Sequence, residues 1–258
     1  MQVPAPLLAV LLLTVGVAAS LGAMWFVRRS TDIETLESHK EVAGFIIAVI
    51  GALYSVLMAL VVTNVWAQFE ESAKVAEHEA ELAISLYRDA VVFGTDTAIR
   101  PSLRDYATSV LDDEWPSMAK DLQESAATDL ALAQLFRSYS SIQPQNAAEE
   151  IFLDNSLDRL DDITATRRER IAASSKKLPG PLWLVLVAGA VITLGFTLLL
   201  PVRTVGAQGL MVSSLAAMTA LMLFVTLSLD LPFSGDLAVA PTAMRDAVEE
   251  FDDIDADD

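Results

Sequence analysis

The sequence predicts an all-α fold: a four-transmembrane-helix membrane protein with a helical extramembrane domain inserted between helices 2 and 3. Three observations predict it. Residues 2–27, 42–69, 178–202 and 204–229 contain no Asp, Glu, Lys or Arg. Each stretch is longer than the ~20 residues a helix needs to cross ~30 Å of hydrocarbon. The charge is segregated elsewhere: a chain of net charge −18 and 53% hydrophobic residues reconciles the two only by separating them along its length. Finally, the polar middle shows helical spacing of its apolar residues and no sustained strand alternation.

The elements follow in order. The first hairpin, residues 1–66, holds helices at about 5–27 and 42–66. The first helix lacks a basic segment ahead of it, and Arg28 and Arg29 come after its apolar run, so it reads as a retained anchor rather than a cleaved leader. Residues 67–178 form the polar domain, continuous with the second helix, with 21 acids against 12 bases. Within it, Asn146 followed by Glu149 reads as a capping box. Leu153, Leu157, Leu160 and Ile171 then recur at helical spacing. Pro101 suits the first turn of another helix, and residues 125–142 suggest one more. Leu178-Pro-Gly-Pro181 breaks the chain before it re-enters the membrane, with Trp183 suited to the interface. The second hairpin, 179–229, holds helices at about 181–201 and 206–229, joined tightly around Pro201–Gly206. Residues 230–258 form an acidic tail, ten acids against Arg245, expected to be solvated and disordered.

The second helix has no Gly, Pro or turn cluster where its apolar half meets its charged half near Trp66. It is therefore predicted to run unbroken from about 42 to 91. A line at alternating steps of four and three passes through Ala48, Ala52, Ser55, Ala59, Val62, Trp66, Phe69, Ala73, Ala76, Ala80, Ala83, Tyr87 and Ala90. None is charged, and nine are Ala or Ser. A 3.5-residue repeat of small side chains predicts a close packing seam. Whether its partner is a helix of the same chain or of another subunit is not fixed by spacing.

Several of these residues also carry a likeness. Glu41-Val-Ala-Gly-Phe45, Tyr54, Val65-Trp66-Ala-Gln-Phe69, Glu79-Ala80 and Leu86-Tyr-Arg88 resemble the signature of the bacterial bestrophin-like membrane family. So does Leu229-Asp-Leu-Pro-Phe-Ser-Gly235 after the last helix. The likeness spans roughly residues 30 to 245. Bestrophins are pentameric anion channels with four membrane helices per subunit, cytoplasmic termini and a pore-lining second helix. The resemblance thus implies a homo-oligomer (a pentamer) in a lipid bilayer, with inorganic anions as partners. It assigns no individual pore residue.

Composition narrows the chemistry. The acidic balance excludes the basic patches nucleic acids require, and without Cys there are no disulfides or thiolate metal sites. No phosphate-binding glycine loop or nucleophile elbow is present. The two histidines, His39 and His78, make no catalytic constellation; His78 with Glu81 supplies two ligands where a metal wants three or four. No enzyme activity, cofactor or metal is expected. Membrane segments without ionisable groups argue against a proton-coupled pump and suit a pore lined by backbone and small polar groups. Phe45, Tyr54, Thr63, Asn64 and Trp66 are candidate pore or helix-packing residues, and Asp230 is either a pore-mouth carboxylate or the turn that ends the fourth helix.

The functional expectation is an oligomeric anion channel. The alternative is a non-conducting scaffold or sensor whose polar domain binds a soluble partner. Flanking bases set the orientation. Lys74, Arg167, Arg168, Arg170, Lys176 and Lys177 lie on the domain side, against Arg28, Arg29, Lys40 and Arg203 on the loop side. The polar domain and both termini are thus expected in the cytoplasm of a multi-pass cell-membrane protein.

Overall fold

The computed structural model describes residues 4–30, 40–94, 98–200 and 204–257. The connections expected at residues 31–39, with His39, and at 201–203 lie outside them. Every regular element among the described residues is a helix: α1 Ala5–Ser30, α2 Lys40–Asp89, α3 Ile99–Ser109, α4 Trp115–Asp121, α5 Ala126–Ser140, α6 Ala147–Ser175, α7 Gly180–Leu198, α8 Val205–Leu229 and α9 Thr242–Asp257. A 3₁₀ turn (Ala90–Phe93) extends α2, and a π turn (Val110–Glu114) joins α3 to α4. Helices α1, α2, α7 and α8 are long and apolar enough to cross a membrane. Helix α2 is one unbroken element of 50 residues, roughly 75 Å at 1.5 Å per residue.

The chain divides into two compact units. The first comprises residues 1–67 and 177–230. In it, α1 and α8 approach through small residues: Gly16 faces Ala220, whose Cβ lies 3.5 Å from where a Cβ on Gly16 would sit. Met24, Leu198 and Val212 bury a small cluster nearby. Helices α2 and α7 meet where Tyr54 lies across Gly189. A Cβ at Gly189 would fall 2.5 Å from the Tyr54 ring, and the Tyr54 hydroxyl donates to the Leu186 carbonyl at 3.1 Å.

The second unit comprises residues 68–176 and 231–258. Its core gathers Ala76, Ala80, Ala83, Leu86 and Tyr87 of α2 with Leu103 and Tyr106 of α3, Leu135 and Tyr139 of α5, Leu160 and Ile163 of α6, and Phe251 of α9. The expected capping box forms at the start of α6. Asn146 Oδ1 accepts the backbone N–H groups of Ala148 and Glu149, both at 3.0 Å. The Glu149 carboxylate reaches back to the Gln145 N–H at 2.7 Å, one residue beyond the Asn146 N–H of the usual box.

Inside this apolar core lies a charged network. The side chains of Glu79, Glu114 and Arg170 are fully buried. Arg170 donates from Nε and Nη2 to Glu79 at 2.6 and 3.0 Å, and from Nη2 to Glu114 at 2.7 Å. Its guanidinium also stacks over Trp115, 5.0 Å from the ring centre. Arg167 holds Glu114 through Nε and Nη2 and reaches Asp129 at 2.7 Å. Tyr106 donates to Glu79 at 2.6 Å. The π turn ends on Glu114 and leaves Asp112 and Asp113 exposed; the wider turn changes the register and delivers this one carboxylate inward. Burial opposes ionisation of Glu114, but the hydrogen bonds and charges of Arg167 and Arg170 outweigh it and hold its carboxyl below the ordinary range. Burial and the adjacent Glu79 push the Tyr106 hydroxyl well up, so it stays protonated and donating.

The acidic tail corrects an expectation. It is ordered as α9, with Met244, Ala247 and Phe251 buried at spacings of three and four. Phe251 stacks on Tyr87 with ring centres 4.0 Å apart. Its acids have partners: Asp252 meets Arg104 at 2.7 Å, Asp255 meets Arg104 at 3.0 Å and Arg100 at 3.1 Å, and Glu250 pairs with Arg88. The high acid count conceals an apolar stripe through Met244, Ala247, Val248, Phe251 and Ile254 that is wide enough to fold a helix onto a core.

Two outcomes follow for stability. Arg170→Met leaves Glu79 and Glu114 buried against one lost cation, and lowers the unfolding free energy of the second unit by about 3–5 kcal/mol, measured by chemical denaturation. The folded carboxyl of Glu114 is held below its unfolded value near 4.5. Its contribution is therefore fully present above that value and lost as pH falls through the lower folded one. Glu114→Gln should flatten the acid limb of the stability profile; an unchanged limb would refute this role.

Candidate functional site

The membrane half of α2 is the element on which the functional reading rests. On a straight helix, burial recurs every 3.6 residues. One line of inward side chains keeps that period along α2 and into the 3₁₀ turn: Tyr54, Met58, Val61, Val65, Gln68, Ser72, Ala76, Glu79, Ala83, Leu86 and Ala90, all buried but half-buried Tyr54 and Gln68, with Val75, Ala80 and Tyr87 buried beside it. The 3.5-residue seam drifts against this line by about 20° per heptad, hence by roughly 120° between Ala48 and Ala90.

The seam accordingly divides. Ala76, Ala80, Ala83, Tyr87 and Ala90 are buried in the core of the second unit, and Phe69 and Ala73 are half-buried. Ala48, Ala52, Ser55, Ala59 and Trp66 are exposed, and Val62 is half-buried. In the membrane half, then, the small-residue edge is uncovered, with Ser55, Ala59 and Val62 bordering an open cavity toward α7 and α8. Phe45, Thr63 and Asn64 are exposed beside it, Phe45 at 71%. Tyr54, by contrast, belongs to the packing against α7 described above.

Asp230 stands at the end of α8. One carboxylate oxygen accepts the backbone N–H of Leu178 at 2.7 Å, and the other lies 3.4 Å from the Trp183 indole nitrogen. Its acceptors thus meet donors at the entry of α7. Trp183 is thereby tied to a carboxylate as well as suited to an interface. His78 is exposed, 3.8 Å from an equally exposed Glu81, and no group of three or more metal-ligating side chains occurs among the described residues.

The buried Glu79–Arg170–Glu114–Arg167 network escaped the sequence reading. A signal was present: the apolar line Leu160, Ile163 continues at helical spacing into Arg167, Arg170 and Ser174, all buried. Burying Arg167 and Arg170 against carboxylates also removes two of the six domain-side bases from the orientation count, leaving four on each side.

The division of the seam has a direct test. Ala83→Leu adds bulk where no space exists and costs about 1–3 kcal/mol of second-unit stability. Ala52→Leu, on the exposed edge, leaves that stability unchanged. Equal losses for both would contradict the burial line.

A family pattern described as a Bestrophin-like domain matches residues 14–244. No curated protein matches the chain. Among solved structures, it resembles a bacterial bestrophin homologue from Klebsiella pneumoniae in two of its point mutants. One is 15% identical with a TM-score of 0.68, covering 96% of this chain and 98% of that chain. The other is 17% identical with a TM-score of 0.68 over the same shares. A point mutant described only as a membrane protein superposes with a TM-score of 0.72 at 14% identity, covering 96% and 98%. Identities this low establish a common fold. With the family pattern running from within α1 through α8 and the helical domain between them, the chain belongs to the bestrophin-like family of membrane proteins.

Proposed function

We propose that the protein is an oligomeric, anion-conducting channel in which the membrane half of α2 frames the pore. The observation that carries this reading is the exposed edge of that helix. A helix turned only toward lipid favours large aliphatic side chains. Here Ala48, Ala52, Ser55 and Ala59, with Thr63 and Asn64 beside them, form an exposed strip next to the larger Leu53, Val56 and Leu60. Small residues let a neighbouring backbone approach closely, and hydroxyl and amide groups suit a path for partly hydrated ions. The membrane-spanning stretch of α2 carries no ionisable side chain other than Tyr54, which agrees with passive conduction rather than proton-coupled transport.

Closed cyclic symmetry is the ordinary way for identical subunits to enclose a central path, and the family layout favours a pentamer. The same layout favours placing the polar domain and both termini in the cytoplasm, since the flanking bases no longer decide orientation. The competing reading, a non-conducting scaffold or sensor, predicts a silent protein whose polar domain retains a soluble partner.

Purified protein in planar bilayers should pass a current that reverses at the chloride equilibrium potential under a salt gradient. Thr63→Leu combined with Asn64→Leu should lower unitary conductance severalfold. Ala52→Leu should reduce the mass of the detergent-solubilised complex. A monomeric, silent protein would remove the channel reading and leave the scaffold.

A further inference from the structure

Each small residue of the exposed strip on α2 is followed by a large apolar one: Leu53 after Ala52, Val56 after Ser55 and Leu60 after Ala59. All three large residues are exposed as well. Successive residues on an α-helix lie ~100° apart around its axis. Turning α2 by that angle exchanges Ala, Ser and Ala for Leu, Val and Leu. Which strip the helix presents therefore depends on what holds it against rotation.

Apolar burial holds it weakly. Side chains in lipid gain little from packing against one another, and α2 has no buried side chain from Ala43 to Leu53. The next residue, Tyr54, has a defined seat on α7. Its ring lies over Gly189, so close that a Cβ there would fall 2.5 and 2.6 Å from two ring carbons. Its hydroxyl donates to the Leu186 carbonyl, three residues earlier on α7, at 3.1 Å. The glycine fixes how closely the ring approaches, and the hydrogen bond fixes where it points. Rotation of α2 lifts the ring from Gly189 and strands the hydroxyl in hydrocarbon, where no water replaces the lost partner.

We infer that Tyr54 and Gly189 are a positioning pair for the conduction path. They lock the rotation of the leading part of α2 against α7, and so select the strip of Ala52, Ser55 and Ala59 over that of Leu53, Val56 and Leu60. The consequence for conduction rests on the channel reading; the lock is a property of the two helices. It also makes α7 a lever, since a displacement of α7 at Gly189 reaches α2 through the Tyr54 ring.

The chain has no Cys, so a single cysteine at Ser55 or Val56 carries a nitroxide without background. Full-length protein in lipid nanodiscs is read by electron paramagnetic resonance, as label mobility and relative collision with oxygen and a nickel chelate. The same variants are read for unitary current in planar bilayers. Gly189→Ala drives a methyl group into the Tyr54 ring, and the displaced ring has an open cavity beside it. It should move the collision ratios at 55 and 56 in opposite directions and lower the unitary conductance severalfold. Gly195→Ala, with nothing within 4 Å of the added Cβ, should change neither. In a Tyr54→Ala background Gly189→Ala should have no further effect, because it acts only through the ring. Unshifted spectra in Gly189→Ala, or an equal shift with and without the Tyr54 ring, would overturn the lock. Should Gly189→Ala fail to assemble, Tyr54→Phe, which keeps the ring and loses only the bond, still has to shift the spectra in the same sense. Shifted spectra in a protein that never passes current would keep the lock and remove the channel reading, and current with unshifted spectra would do the reverse.

Discussion

Arg170 is fully buried, and the organisation of the helical domain turns on that fact. A guanidinium removed from water is tolerable only when its donors are met by carboxylates at hydrogen-bond distance. Glu79 and Glu114 meet this one, at 2.6 and 2.7 Å, and they come from different elements. Glu79 lies on α2 and Glu114 at the end of the π turn, while Arg170 itself lies on α6. An apolar contact would tolerate sliding of these elements. A bidentate guanidinium–carboxylate contact fixes their register. Arg167 and Tyr106 close the network, so neither buried carboxylate depends on a single partner.

The same helix that presents Glu79 also spans the hydrocarbon, where it obeys a different demand. In lipid every backbone group must be satisfied within the segment, and side chains gain little from burial against one another. Shape and polar satisfaction then decide what packs. Gly189 accepts the Tyr54 ring because any larger residue would collide with it, whereas a Cβ on Gly16 would meet Ala220 at ordinary contact distance, 3.5 Å. Several hydroxyls, Thr14, Ser55 and Thr219 among them, bond back to their own helices.

The family assignment and the exposed edge of α2 bear on function in different ways. The fold is shared with bestrophin homologues at sequence identities too low to transfer residue roles, so nothing in the pore reading rests on matching individual positions. It rests on which α2 side chains the unit leaves uncovered. They include large apolar residues such as Leu53, Val56 and Leu60, and beside these a strip of small or uncharged polar ones, which has more to gain from another protein surface or an aqueous path than from acyl chains.

Much was legible in the chain itself. Four charge-free stretches dictate four membrane helices because length and hydropathy alone decide whether a helix can span a bilayer. The unbroken passage of α2 into water followed from the absence of any residue able to stop it, and the cap of α6 from the local chemistry of Asn146 and Glu149. Three things lay beyond sequence. The seam read at 3.5 residues was real in composition, yet burial followed 3.6, because a straight helix rotates away from a strict heptad. Charge counting predicts a solvated tail because it overlooks a stripe of Met244, Ala247 and Phe251, and the tail's acids find arginines that are close only after folding. Arg167 and Arg170 looked like membrane-flanking bases. Only the π turn, by carrying Glu114 to them across more than fifty residues, makes them the interior of the domain: which charges can share a buried space is set by three-dimensional proximity, and no local pattern encodes it.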